Sequence, residues 1–299
     1  MANNIAYASR YSTEIDKIIS QKSKTGMFAD NSFKSKFVGA NTVIMPDIEF
    51  VGLGDYSREN GYPVGDTAVK QTSYTLTKDR GRQLPIDAQD ADESGVADLV
   101  GKVAGEFTRT QVIPEMDAYN ISSLYKVAKK NNNVTTFAEA TAVKDLIAAI
   151  NAVDEKSGYS DEQLIAFVDP TLYSLLMNSP ELTRMIVASD FKQGEANFKV
   201  NTLNGCAIIP VSANRMMSDY TFKAGTKANE GGFAPATDAK NIRAVVLPQS
   251  SATLVKKVEN LRVFTPDENI LSDSYVVDFR LYYDLFVKKN KEQTIFAIA

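Results

Sequence analysis

The sequence predicts an α+β protein with a compact middle and unusually long elements around it. Three observations carry the prediction. From Tyr275 to Val287 every odd position is apolar (Tyr275, Val277, Phe279, Leu281, Tyr283, Leu285, Val287), while Asp278, Arg280 and Asp284 take even ones. A period of two is a β-strand with one buried face. At ~3.3 Å per residue this run would span about 43 Å, although ordinary strands have about 5–6 residues. Upstream, Val96, Leu99, Val100, Val103 and Phe107, then Met116, Tyr119 and Tyr125, keep helical spacing. Some ~35 residues at 1.5 Å each would make a helix of about 50 Å, against a usual length of about 11–12 residues. Between the two, short apolar runs alternate with amphipathic ones.

Taken in order, residues 1–41 are polar, with Ile15, Ile18 and Ile19 able to form one short helical face. The segment reads either as an arm that lies on some other surface or as a disordered N-terminus. TVIMPDIEFVGL then leads out and AVKQTSYTLTKDRGRQLPID comes back, joined by the Gly/Pro/Asn-rich GDYSRENGYPVGD. The return limb is rich in Thr and Tyr but poor in large aliphatics, so this long hairpin has no core of its own. An isolated hairpin is marginal in water, so it packs on another part of the protein or on a neighbouring molecule. The alternative is an internal sheet edge. Asp90 followed by Glu93 fits a capping box at the start of the long helix. Pro114 predicts a kink, and Lys126, Lys129 and Lys130 suit its C-terminal end. Asn131, Asn132 and Asn133 end it.

The middle reads as FAEATAVKDLIAAINAVDEKSG, a helix stopped by Gly158; QLIAFVDP, a buried strand ended by Pro170; and PTLYSLLMNSPELTRMI, a helix broken at Pro180. CAIIPVS and IRAVVLP are two more buried strands, and TLVKKVENLRVF leads into the terminal strands. KNKEQ then turns the chain into a last apolar run, Thr294–Ile298.

Composition excludes much chemistry. With 299 residues, 44% hydrophobic and 23% charged, the chain can bury a real core. No apolar stretch approaches the ~20 residues of a membrane-spanning helix, and the start lacks a signal peptide's pattern. Histidine is absent, which removes Ser-His-Asp and Cys-His nucleophile systems and His-ligated zinc. The single Cys206 cannot form an internal disulfide, and points to an intracellular origin. A net charge of −4 without a basic block lacks the footprint of specific nucleic-acid binding.

Individual motifs fare no better as sites. Gly52-x-Gly54 lacks the third glycine and following helix of a dinucleotide site. Asp90, Asp92, Ser94 and Gly95 mimic half a calcium loop, but Gly101 stands where its bidentate Glu belongs. Ser189 and Lys192 match Ser-x-x-Lys without that chemistry's other elements. Cys206 sits in an apolar strand, where a buried structural role is the default. No catalytic, cofactor-binding or metal-binding residue is therefore predicted. Lys78, Asp79, Arg80, Arg82 and Asp87 form a mixed charge cluster at the hairpin base, either a solvated turn or an intermolecular ion-pair network. Lys78, Asp79, Arg80 and Arg82, with Tyr56 and Arg58 of the hairpin turn, are the candidate assembly contacts.

The order of segments resembles the tailed-bacteriophage major capsid protein of the Hong Kong 97 type. SYTLTKDRGRQLPIDAQDADESG running into FTRTQVIPEMDAYNISSLY looks like that family's extended loop and spine helix. QLIAFVDPTLYSLLMNSPEL and LNGCAIIPVSANRM look like axial-domain segments, and FVKKNKEQTIFAIA like the closing peripheral strand. The resemblance implies an N-terminal arm (1–41), an extended β-hairpin loop (42–90), a spine helix with peripheral domain (91–158), an axial domain (159–251) and closing peripheral strands (252–299). It implies a non-enzyme that self-assembles as hexamers and pentamers into an icosahedral head in the virion, built in the host cytoplasm. Double-stranded DNA would be held by confinement. A portal protein is an implied partner, with a separate scaffolding protein or none, since the arm starts at Met1; no cofactor or membrane is implied. The loop-lysine crosslink of some relatives would draw on Lys70 or Lys78, though no short motif marks it. Two rivals stand beside this reading: a bacterial nanocompartment shell of the same fold enclosing a cargo enzyme, and a soluble α+β enzyme with an unrecognised site.

Overall fold

A computed structural model describes residues 19, 22–29, 37–38, 41–59, 61–65, 67–89, 99–158, 162–179, 187–193, 196–227, 230–270 and 272–299. The terminal strand, Ser274–Val287, is 14 residues long and lies at the centre of a three-stranded antiparallel sheet. The period-two reading holds: Val277, Phe279, Leu281, Tyr283, Leu285 and Val287 are all buried. They pack toward the long helix, with Phe279 edge-on to Phe107 at 5.9 Å and Tyr283 edge-on to Tyr119 at 5.9 Å.

One neighbour of this strand is Ala252–Phe264, paired from Ala252↔Val287 to Phe264↔Val276. The sequence hides it as a full strand because an irregularity between Lys256 and Val258 shifts its alternation. The other neighbour is Lys78–Asp87. The hairpin's return limb is thus two strands. Thr67–Thr75 pairs with Thr42–Phe50, then the chain breaks at Leu76–Thr77 and Lys78–Asp87 joins the terminal strand. Gly81 sits where no side chain fits, because a Cβ there would lie 2.9 Å from the Phe279 carbonyl oxygen.

Among described residues the long helix runs from Leu99 to Lys130, and the capping box at Asp90 and Glu93 lies outside them. The kink predicted at Pro114 takes the form of a wide turn, Thr108–Val112, between the α-helical segments Leu99–Phe107 and Ile113–Lys130. Proline cannot donate to the carbonyl four residues back, and its ring crowds that carbonyl. A π-turn opens the backbone at that point. The helix ends at Asn131, and Asn132 takes a left-handed φ of 57°.

The middle is a seven-stranded sheet. Leu164–Val168, Cys206–Pro210 and Ala244–Pro248 form its centre, with the first two parallel. Helix Ala142–Ser157 stops at Gly158, which takes φ 75°. Pro170 does more than end a strand: the Asp169 carboxylate accepts the Leu172 N–H, and Pro170 opens helix Pro170–Asn178. The predicted break at Pro180 lies outside the described residues. The last apolar run does not return along the terminal strand. Both edges of that strand are already paired, so helix Lys289–Thr294 carries Phe296–Ile298 into the seven-stranded sheet beside Ala244–Val246 and Val134–Thr135.

Two apolar clusters result. The larger lies between the long helix, the terminal strand and one face of the seven-stranded sheet, around Met116, Ile121, Leu124, Phe167 and Leu281. The smaller lies beneath helix Ala142–Ser157, around Leu146, Ile150, Val153 and Leu172. No helix among the described residues is long and apolar enough to cross a membrane.

Candidate assembly surface

The sequence leaves open what the N-terminal segment lies on. For residues 22–29 the answer is the chain's own long helix. Asp117 is fully buried there, and a buried carboxylate needs donors. The Ser23 and Thr25 hydroxyls donate to it at 2.7 and 2.8 Å, and the Lys24 and Thr25 N–H groups at 3.1 Å each. Arg215 adds an ion pair at 3.2 Å. Ile19 and Phe28 enter the larger apolar cluster, with Phe28 edge-on to Phe167. Ile15 and Ile18 lie outside the described residues.

The hairpin is fastened only at its root. Leu76 is buried with Val43, Val255 and Phe286. The Thr77 N–H and hydroxyl donate to the Asp284 carboxylate at 2.9 and 2.8 Å, and the Tyr119 hydroxyl donates to its other oxygen at 2.7 Å. Tyr282 and Tyr74 donate their hydroxyls to the carbonyls of Leu76 and Val287. Burial, reinforced by the Asp284 charge, pushes the Tyr119 hydroxyl up to about 12.

The charge cluster at the base finds partners inside its own chain. The Lys78 ammonium lies 4.0 Å over the Phe222 ring and 4.7 Å over Tyr119. Its burial lowers its pKa against the opposing pull of Asp284. Asp79 pairs with Arg280 at 2.6 Å, and that hydrogen bond holds its carboxyl below the usual range. Arg80 pairs with Glu115 at 2.6 Å and also donates to the Lys223 and Gly232 carbonyls. Arg82 donates to the Glu230 carbonyl at 2.9 Å. Asp87 accepts the Gln89 N–H. Arg80 and Arg82 therefore strap segment 223–232 to the sheet. Gly225, at φ 71°, lets that segment pass 3.2 Å from the Arg82 guanidinium.

The hairpin tip is built but uncovered. Val51, Leu53, Tyr56, Tyr62 and Val64 are 60 to 107% exposed. Tyr56 and Tyr62 pack on each other at 5.0 Å, and Ser57 and Gly61 bridge backbone to backbone. Arg58 sits in this turn, exposed. Sequence reasoning named Tyr56 and Arg58 but missed the apolar set. The signal was present: FVGLG and GYPVG interleave apolar side chains with glycines, and they read as turn punctuation.

A groove of about 870 Å³ opens between the hairpin base, the long helix and segment 223–232. Leu84, Phe107, Phe279 and Leu281 line it with apolar surface, and Arg80, Arg82, Lys223 and Lys227 outnumber Glu115 and Glu230 among its charges.

The motifs weighed for chemistry stay apart. Gly52 and Gly54 lie in extended loop with no helix after them, and Ser189 and Lys192 lie on strand Val187–Gln193. Asp90, Asp92, Ser94 and Gly95 lie outside the described residues. Cys206 is buried, and burial pushes its thiol up to about 12, far from a reactive thiolate. No group of three metal-ligating side chains occurs among the described residues.

No protein-family model matches the sequence, and neither does any curated protein. Solved structures do match. A chain from Mycobacterium phage Che8 aligns with 92% of this chain and 90% of its own, at 14% identity and a TM-score of 0.56. The mature capsid of bacteriophage PhiM1 aligns over 91% and 87%, at 16% identity and 0.55. A virus-like particle from Pyrococcus furiosus aligns over 98% and 99%, at 9% identity and 0.54. The class is thereby defined by fold: this chain has the Hong Kong 97-type fold over nearly its whole length.

Proposed function

We propose that this chain is the major capsid protein of a tailed bacteriophage, assembling as hexamers and pentamers into the icosahedral head of the virion. One observation carries the reading: on a Hong Kong 97-type fold, a rooted hairpin holds an apolar tip clear of its own body. Monomeric proteins rarely leave such patches exposed, whereas stable assemblies bury them. The long helix and three-stranded sheet supply the stiff frame, and the hairpin the reach. Residues 42–90 would be the extended loop, 91–158 with 252–299 the peripheral domain, and 159–251 the axial domain. Such a subunit needs stiffness and complementarity rather than catalysis. Double-stranded DNA, held by confinement at a net charge of −4 per subunit, would be the content. A portal protein and a separate scaffolding protein are the further partners this reading calls for. Electron microscopy of the purified protein tests it. Closed particles of uniform size are expected; a 32.8 kDa monomer with catalytic turnover would overturn it in favour of a soluble enzyme.

The Pyrococcus furiosus match, nearly complete over both chains, favours one second reading: a nanocompartment shell around a protein cargo. The content separates the two. Nuclease-protected DNA in particles from the natural host supports the phage head; a co-purifying enzyme supports the compartment.

A further inference from the structure

We propose that the groove beside the hairpin base is the socket for the hairpin tip of a second copy of this chain. This rests on the shell reading above and adds the partner surface.

The tip presents Val51, Leu53, Tyr56, Tyr62 and Val64 to solvent. Its own body does not cover them. Both limbs are nine residues long, so at ~3.4 Å per residue the tip stands about 31 Å from the root. The groove offers apolar surface at Leu84 and Phe107 and has the volume to receive several side chains. The charges match as well. Between Glu49 and Asp66 the hairpin carries Glu49, Asp55, Glu59 and Asp66 against the single cation Arg58. The groove carries four cations against two carboxylates. Both halves are held in shape before they meet, the tip by the Asp284 root and the groove wall by Arg80 and Arg82, and that lowers the ordering cost of docking. A knob and a socket on different surfaces of one chain make a head-to-tail contact, the kind that closes rings.

Cysteine trapping tests the proposal. Leu53→Cys and Ala224→Cys, both at exposed positions, are combined in one chain and the assembled protein is oxidised. The expected result is a ladder of crosslinked chains that collapses to the 32.8 kDa monomer on reduction. A control pairing Leu53→Cys with Glu139→Cys, exposed but away from the groove lining, should stay monomeric on the same gel. Particles that form normally without the ladder, or with an equal ladder in the control, overturn the socket and leave the shell reading standing. Failure of the unaltered chain to form particles at all removes both. In addition, Lys223→Glu with Lys227→Glu should reduce particle yield at least tenfold. Asp55→Lys with Glu59→Lys in the same chain should recover it; wild-type yield from the first pair, or no recovery from the second, counts against the socket.

Discussion

Residues 22–29 and the hairpin 42–75 look alike in sequence: polar, extended and without a core of their own. The structure treats them oppositely. The first lies flat on the long helix because Asp117 is buried beneath it and collects four hydrogen bonds from Ser23, Lys24 and Thr25. The second is gripped only where Leu76 and Thr77 meet the terminal strand, and its far end is bare. Low hydrophobicity therefore does not decide whether a segment reaches outward. What decides is whether the body holds a buried polar group that only this segment can satisfy.

The strongest way to break the comparison is at Asp117. Asp117→Ala leaves the Arg215 guanidinium and the donors of residues 23–25 unmatched, and should cost about 3–5 kcal/mol, read from urea unfolding. Trypsin should then cut at Lys22 and Lys24 early, where the parent resists. Unchanged stability would mean the two segments differ for some other reason.

At the root, Asp284→Asn should cost about 1.5–3 kcal/mol, the worth of hydrogen bonds to a charged group. Hydrogen exchange should rise at Thr77 and leave residues 23–25 unmoved. At the tip, Leu53→Asp should shift unfolding by less than ~0.5 kcal/mol, as surface changes do, yet abolish particles on native mass spectrometry. That pairing of intact fold with lost assembly is the signature of a segment whose partner lies elsewhere.

The smallest effect is with pH. Without histidine, thermal stability should be flat from about pH 5 to 8. Asp79, Glu162 and Asp219 have carboxyls lowered first by hydrogen bonds from Arg280, Lys291 and Lys126 respectively. Their small contribution is present above the unfolded value of about 4 and lost as pH falls below it. Tyr119 runs the other way. Its folded value of about 12 lies above the unfolded value, so its contribution is complete below about pH 10 and is lost as pH rises from there toward 12. Alkali should thus loosen the hairpin root, and a melting curve that falls between pH 5 and 8 would contradict this.

Much of the frame was legible because it repeats. The alternation of Val277, Phe279, Leu281 and Tyr283, the helical spacing around Met116 and Tyr119, and the stop at Gly158 are local signals. What stayed hidden depends on distant partners. The break at Leu76–Thr77 is set by Asp284, 207 residues away, while the Thr/Tyr pattern runs straight through it. The seat of Ser23 and Thr25 is set by Asp117, more than 90 residues on. The groove is assembled from three separate stretches of chain, and no window of sequence contains it.

The pairing of Lys78–Asp87 with the terminal strand also orders events on the ribosome. Asp79 meets Arg280 across 201 residues, so at ~5–20 residues per second the strand's edge waits roughly 10–40 s for its mate. Throughout that wait the hairpin has no fixed root and points nowhere in particular. Only a nearly finished polypeptide can aim it, which keeps half-made chains from joining their completed siblings.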